Sequence, residues 1–267
     1  MKNRKDVVAG LGEIGLPIQK LLSKTITVIG YDKRSELIDI SKTKRFEKYE
    51  TEILHVCIPF TKNFISNVKE LEKKFKPEII AVHSTVEPLT TQKLQKNIAV
   101  PIIYSPLRGV HARKQDSFQP HKKGILFDIK RYVKFYSVQN NTKKDNLAAQ
   151  KFNKRLKNCG LKTKKMSMPI TLELAKILCD TSYYGWLIAY AQLTDMIVRK
   201  HNVDYDEMWS FADEIHKFLG NRPKMFPGFI GGHCVIPNLS LIDEKSLQQI
   251  DRTVSYTHLT LPTSDLV

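Results

Sequence analysis

The first half of the chain alternates short apolar runs with amphipathic stretches. Runs at Val7–Gly10, Thr27–Tyr31, Ile53–Ile58, Ile79–His83 and Pro101–Ser105 predict strands. Between them, apolar residues at helical spacing predict helices near Gly15–Leu22, Ser35–Ser41, Lys62–Phe75 and Thr90–Gln95. Such β-α-β-α order calls for a doubly wound parallel sheet with helices on both faces. Val7–Gly10 and Ile79–His83 carry little polar character, as strands covered on both faces do. Gly124–Ile129 and Tyr132–Val138 are expected to add strands, and Asn146–Leu156 a helix. From Ser167-Met168-Pro169 the period changes, with Ile170, Leu174, Ile177, Leu178, Leu187, Ile188, Leu193, Met196 and Ile197 tracing a helix to about His201. A further helix is expected near Tyr205–Leu219. The fold class is therefore α/β, a doubly wound parallel sheet followed by a smaller all-helical domain. The expected division is 1–166, 167–253 and a tail, 254–267. That tail has the character of a translated sequencing adapter and is expected to be non-native, the alternative being an ordinary disordered terminus.

Composition changes this picture little. The 267 residues are 42% hydrophobic and 26% charged, ordinary globular usage. No apolar run reaches the roughly 18–20 residues a bilayer crossing needs. Cys57, Cys159, Cys179 and Cys234 are spread without a C-x-x-C pair, which argues against a zinc site or disulfide framework and fits a cytoplasmic protein. Net charge is +16, and residues 121–165 hold 14 Lys/Arg against 2 Asp/Glu. That stretch is either a solvated basic face or a footprint for an anionic partner. No nucleic-acid motif accompanies it, so nucleic acid is not the expected partner.

Val8-Ala9-Gly10-Leu11-Gly12-Glu13-Ile14-Gly15 satisfies G-x-G-x-x-G between a predicted strand and a predicted helix, and Asp32 ends the next strand 22 residues after Gly10. This is the fingerprint of a Rossmann dinucleotide site. Gly10 allows the tight turn, Gly12 the approach of a pyrophosphate, and Gly15 close packing of helix on strand. Leu11, Glu13 and Ile14 complete the loop, and the helix N-terminus faces the phosphates with its positive end. Asp32 accepting from ribose hydroxyls favours NAD over NADP, a preference that Lys33 and Arg34 soften.

With the second half in view, the chain resembles the UDP-glucose/GDP-mannose dehydrogenase family. The matching segments are Gly10–Gly15, Gly30-Tyr31-Asp32, Cys57-Ile58-Pro59, Ser84-Thr85-Val86, Tyr104-Ser105-Pro106, Glu173-Leu174-Ala175-Lys176 and Pro227-Gly228-Phe229-Ile230-Gly231-Gly232-His233-Cys234. The resemblance implies oxidation of a nucleotide-sugar primary alcohol to a carboxylate with two NAD, and a homodimer built on the helical domain. It implies coenzyme contacts at Pro59 and Thr85, a Lys176 that stabilises negative charge on the substrate oxygen, and a water held near Asp180 and Thr85. Asp180 stands where the family has asparagine. His111 stands where a carboxylate normally activates the water, with Leu107 at a second acidic position, and Asn238 replaces an aspartate. The family's third domain is not represented.

The chemistry also stands on its own residues. Taking an alcohol to an acid needs a nucleophile that holds the aldehyde for a second oxidation, and a thiolate does so through a thiohemiacetal and a thioester. Cys234 lies beside Gly231 and Gly232, which let a substrate come close, and beside His233, which lowers a thiol pKa. The alternatives are a buried structural thiol at Cys234, a surface ion pair at Lys176 and Asp180, and a turn residue at Thr85. Two other functions remain open from sequence. One is a two-electron dehydrogenase of the 6-phosphogluconate or hydroxyacid type. The other is a non-catalytic basic module binding NAD or nucleic acid.

Overall fold

A computed structural model of the chain describes residues 3–108, 125–219 and Leu241. The chain divides into two compact units, Met1–Leu174 and Ala175–Val267.

The first unit carries a seven-stranded sheet built from β1 (Arg4–Ala9), β2 (Val28–Tyr31), β3 (Glu50–Val56), β4 (Ile79–Val82), β5 (Ile102–Tyr104), β6 (Lys134–Val138) and β7 (Thr163–Lys165), in the order β2-β1-β3-β4-β5-β6-β7. The first five strands are parallel, β6 runs antiparallel to β5, and β7 is parallel to β6. Its helices are α1 (Gly15–Leu22), α2 (Ile40–Arg45), α3 (Phe64–Phe75), α4 (Thr90–Asn97), α5 (Ile125–Arg131) and α6 (Lys143–Asn158). The expected Rossmann-type sheet followed by helices is therefore present.

Alternation along the strands decides which helix covers which face. Val8, Ile53, Ala81 and Ile103 point to one side, where Ile18, Leu21 and Leu22 of α1 and Ala148, Ala149, Phe152 and Leu156 of α6 pack. Val7, Leu54, Ile80 and Ile102 point to the other, under Phe64, Val68 and Leu71 of α3 and Leu94 of α4. Period-two strands buried on both faces are the reason these runs read as continuously apolar. Local signals set the ends. Thr142 and Asp145 form a reciprocal capping box at the start of α6. Asp39 caps α2 by accepting from the Lys42 amide at 2.9 Å.

Two expectations need correction. Gly124–Ile129 is not a strand, because Ile125–Arg131 is α5. Asp128 in its first turn and Lys130 and Arg131 in its last complement the helix dipole, which a short apolar run does not reveal. Ser35–Ser41 is split into a 3-10 turn, Ser35–Leu37, and α2, because Asp39 starts a new helix.

The helical region begins with α7 (Pro169–Ala175), continues through a π-helical segment, Lys176–Ser182, into α8 (Tyr183–Lys200), and is followed by α9 (Tyr205–Leu219). In the π segment Ser182 Oγ donates to the Ile177 carbonyl at 2.6 Å and Thr181 Oγ1 to the same carbonyl at 3.1 Å. Those hydroxyls stabilise a widened turn that amphipathic spacing cannot announce. Among the described residues no helix is long and apolar enough to cross a membrane.

Candidate dinucleotide site

The chain winds from β1 to β2 on one side and returns to β3 on the other, so the sheet reverses its strand order between β1 and β3. Crevices at the carboxyl ends of strands flanking such a reversal are where open α/β sheets bind ligands. The segment Gly10–Gly15 follows β1 there, and Cys57-Ile58-Pro59 follows β3. The amides of Gly10, Cys57, His83 and Ser105 donate to Tyr31, Ala9, Val56 and Val82 at 2.7–2.9 Å, extending the ladder to the rim.

Each glycine of the turn has its own constraint. Gly10 has φ +92°, and a Cβ on it would lie 2.7 Å from the Cys57 carbonyl oxygen. A Cβ on Gly15 would lie 1.7 Å from the Gly10 oxygen. A Cβ on Gly12 would meet nothing within 4 Å. Gly10 and Gly15 are thus required by the fold itself, whereas the space above Gly12 is open for something other than protein. No side chain caps α1 and no acidic residue lies in its first turn, where the helix dipole is positive.

Asp32 sits at the lip. Its Oδ2 accepts from the Leu11 amide at 2.7 Å and its Oδ1 from the Arg34 amide at 3.0 Å. The Arg34 guanidinium lies 3.4 Å from Oδ1. Burial pushes the Asp32 carboxyl up, but the Arg34 and Leu11 amides together with the guanidinium outweigh it, and its pKa lies below the usual value. An ionised carboxylate has about four lone-pair directions, so accepting positions remain for hydroxyl donors. These features fit a dinucleotide: a cradle at Gly12, a positive helix end, and an acceptor at the lip.

Ile14 and Gly12 are half-buried, Glu13 is exposed and Leu11 is in the core. Pro59 is exposed and Thr85 half-buried on adjacent rim loops. Ser84, visible in the sequence only as part of a matching segment, joins those loops by donating its Oγ to the Ile58 carbonyl at 2.6 Å. Cys57 is buried, and burial pushes its thiol up to about 12 against the opposing charge of Lys134. Leu107 belongs to the hydrophobic core. Glu173 was visible only as part of a motif. In the structure it is fully buried on α7, and its carboxylate accepts from the Leu89 amide at 2.6 Å and from the Thr91 amide and hydroxyl at 2.9 and 2.6 Å.

In the second unit, the Lys176 ammonium bonds Asp180 Oδ2 at 2.5 Å across one turn of the π segment. Lys176 is largely buried and Asp180 exposed. His111, Gly231, Gly232, Cys234 and Asn238 lie outside the described residues. Among the described residues, no group of three His, Cys, Asp or Glu side chains is placed to hold a metal. Part of the 121–165 charge is internal: Arg155 pairs with Asp6 and Glu52, Lys151 with Glu52 and Glu78, and Lys134 donates to the Ser105 and Pro106 carbonyls at 2.7 and 2.8 Å.

No protein-family model matches the chain. No curated protein matches it either. Solved structures do match in fold. One is described as a UDP-D-ManNAc dehydrogenase from Pyrococcus horikoshii, 17% identical, covering 96% of this chain and 69% of its own, with a TM-score of 0.75. Another is a UDP-glucose dehydrogenase from Pyrobaculum islandicum, 14% identical, covering 96% and 68%, with a TM-score of 0.70. A third is a 3-hydroxyisobutyrate dehydrogenase from Mycobacterium tuberculosis, 12% identical, covering 99% and 95%, with a TM-score of 0.64. At these identities the likeness is one of fold.

Proposed function

We propose that the chain is a cytoplasmic NAD-dependent oxidoreductase that oxidises the primary alcohol of a nucleotide sugar to a carboxylate. The observation that carries the coenzyme half is the open space above Gly12 beside the retained acceptor of Asp32. The substrate half is supported by the motif resemblance and by two fold neighbours described as UDP-sugar dehydrogenases.

In this reading Gly10–Gly15 and the α1 N-terminus bind the pyrophosphate, Asp32 binds the adenosine ribose, and Pro59 and Thr85 line the rest of the coenzyme crevice. Bound NAD supplies the hydride acceptor. Lys176 donates to the substrate oxygen and stabilises its negative charge as the alcohol proton leaves. The Cys234 thiolate would add to the aldehyde carbon to give a thiohemiacetal, whose hydride would pass to a second NAD and leave a thioester; water would then displace the thiol and release the acid. Gly231 and Gly232 give the sugar room beside that sulfur, and Asn238 bonds the sugar. Thr85 and Asp180 hold the water, and His111 takes its proton.

The test is NADH produced per molecule of sugar across a panel of UDP- and GDP-sugars. Two per sugar is expected, with Cys234→Ser unable to form the acid. A second reading, two-electron oxidation of a hydroxyacid, draws support from the match covering 95% of a 3-hydroxyisobutyrate dehydrogenase. It requires one NADH per substrate and no effect of Cys234→Ser. No NADH from either panel removes the catalytic proposal.

The helical region is proposed to form a homodimer. Tyr183, Trp186, Tyr190, Leu193 and Ile197 recur at i, i+3, i+7, i+10 and i+14 along α8 and are exposed, the spacing of a helix-pairing seam. Ile197, 56% exposed, is the test position. Ile197→Glu is expected to convert a dimer to a monomer in light scattering after size exclusion, without loss of helical circular dichroism. A monomeric unaltered chain removes this proposal.

A further inference from the structure

A cleft of about 320 Å³ opens between the starts of α3 and α4. Phe60 and Lys62 line it from the loop after β3, Ile65 from the first turn of α3, and Glu87 from the loop after β4. Thr90 and Lys93 line it from α4. Its volume is at the lower end of the range for small-molecule sites, about 300–1,000 Å³. Helices α3 and α4 cover the sheet face opposite α1, so the cleft is separate from the cradle at Gly12.

The donors at the start of α4 divide into two groups. The Leu89 amide and the Thr91 amide and hydroxyl all go to the Glu173 carboxylate. The Thr90 amide goes to the Glu87 carbonyl at 3.2 Å. The Thr90 hydroxyl has no partner among the described residues, although Thr90 is only 2% exposed. It is not sealed in the interior as the orphan hydroxyl of Tyr104 is. What remains of its surface opens on the cleft that Thr90 lines. A hydroxyl so placed bonds whatever occupies that space.

The rest of the lining decides which occupant fits. Lys62 makes no ion pair among the described residues, and the Lys93 charge acts in part on Glu173. No side chain caps α3 and no acidic residue lies in its first turn, where the helix dipole is positive and amides are left over. Ammonium groups, a hydroxyl and helix amides all donate, and their complement is a compact anion with several oxygens. Phe60 and Ile65, both half-buried, add an apolar wall. Glu87 opposes a bare anion but accepts from a hydroxyl carried by the same ligand.

We propose that this cleft is a second ligand site, which binds the phosphate group of a small organic phosphate. Lys62, the Thr90 hydroxyl and the α3 N-terminus take the phosphate oxygens, and Phe60 and Ile65 pack against the organic body. The site does not depend on the coenzyme assignment, because neither Asp32 nor any residue of Gly10–Gly15 lines it.

The test follows ¹⁵N amide shifts of the unaltered full chain during titration with inorganic phosphate and with phenyl phosphate, at constant ionic strength. Saturable shifts are expected at Ile65, Ser66 and Thr90. Phenyl phosphate is expected to bind about fivefold tighter, the effect of burying roughly 40 Å² of apolar surface. Thr90→Val keeps the side-chain shape and removes the hydroxyl. It is expected to weaken both probes about tenfold and to keep Tm within about 2 °C, since no bond within the protein is lost. Lys62→Met is expected to weaken them about tenfold, and Lys93→Met less, because Lys93 also serves Glu173. Lys157→Met, at an exposed position of α6 across the sheet, and Gly12→Ala are expected to change nothing. No saturable shift at these amides with either probe overturns the proposal. So does equal affinity for the two probes, or affinity unchanged in Thr90→Val or in Lys62→Met. Loss of binding in Gly12→Ala would assign the phosphate to the coenzyme cradle and overturn it as well. If Thr90→Val does not fold, Lys62→Met, at an exposed side chain, decides.

Discussion

Gly12→Ala is expected to leave the melting temperature of the chain within a few degrees of the original and to weaken NAD binding about 100-fold, or roughly 2.7 kcal/mol. The new methyl group meets no protein atom within 4 Å, so the fold does not resist it. It occupies the space that a pyrophosphate needs to reach the backbone at the N-terminus of α1. Gly15→Ala is the contrasting variant. Its Cβ would lie 1.7 Å from the Gly10 carbonyl oxygen, an overlap with backbone that no rotamer relieves. Loss of folding is expected there. Calorimetric titration with NAD and thermal unfolding, run on both variants, separate the two roles. Unchanged NAD affinity in a folded Gly12→Ala protein would remove the coenzyme assignment.

Glu173→Ala is expected to lower stability by about 3 kcal/mol, a fall in Tm of roughly 6–12 °C. The carboxylate is the acceptor for three donors at the start of α4, and the Thr91 amide and hydroxyl are buried with it. Leu89 precedes the helix at φ +68°, a left-handed conformation costly for a branched side chain, and the bond from its amide to Glu173 holds it there. Removing the acceptor strands the donors and releases the turn. Glu173→Gln keeps one accepting oxygen and is expected to lose less. The pH dependence has a definite sign. Burial first, against the hydrogen bonds from Thr91 and Leu89, raises the Glu173 pKa above its ordinary value. Its contribution is therefore full below that ordinary value and declines as pH rises through the folded-state value. Thermal unfolding across the acid range should show that decline in the unaltered chain and not in Glu173→Gln.

The first half of the fold was legible because its strands are buried on both faces and its helices on one. Val7 and Val8 face opposite layers, yet both are apolar, and the run between Asp6 and Gly10 has few other structural solutions. The turn was legible for a different reason. Glycines at 10, 12 and 15 have separate steric demands, and Asp32 follows at the distance one βαβ unit imposes. Ile125–Arg131 was misread because seven residues hold too few periods to distinguish a buried strand from a short helix. The π segment at Lys176–Ser182 was hidden because its hydroxyl-to-carbonyl bonds leave the apolar spacing almost unchanged.

What the sequence alone determined is local: element type from periodicity, the glycine turn from sterics, and the acidic partner from chain spacing. Tertiary structure decided what depends on residues far apart in the chain. Glu173 meets the start of α4 more than 80 residues away, and Asp6, His55, His83 and Ser105 come from four strands or strand ends. In the sequence these residues lie far apart, and none of them announces the others. Only the register of the sheet, which brings those strands side by side, turns them into one line of polar contacts.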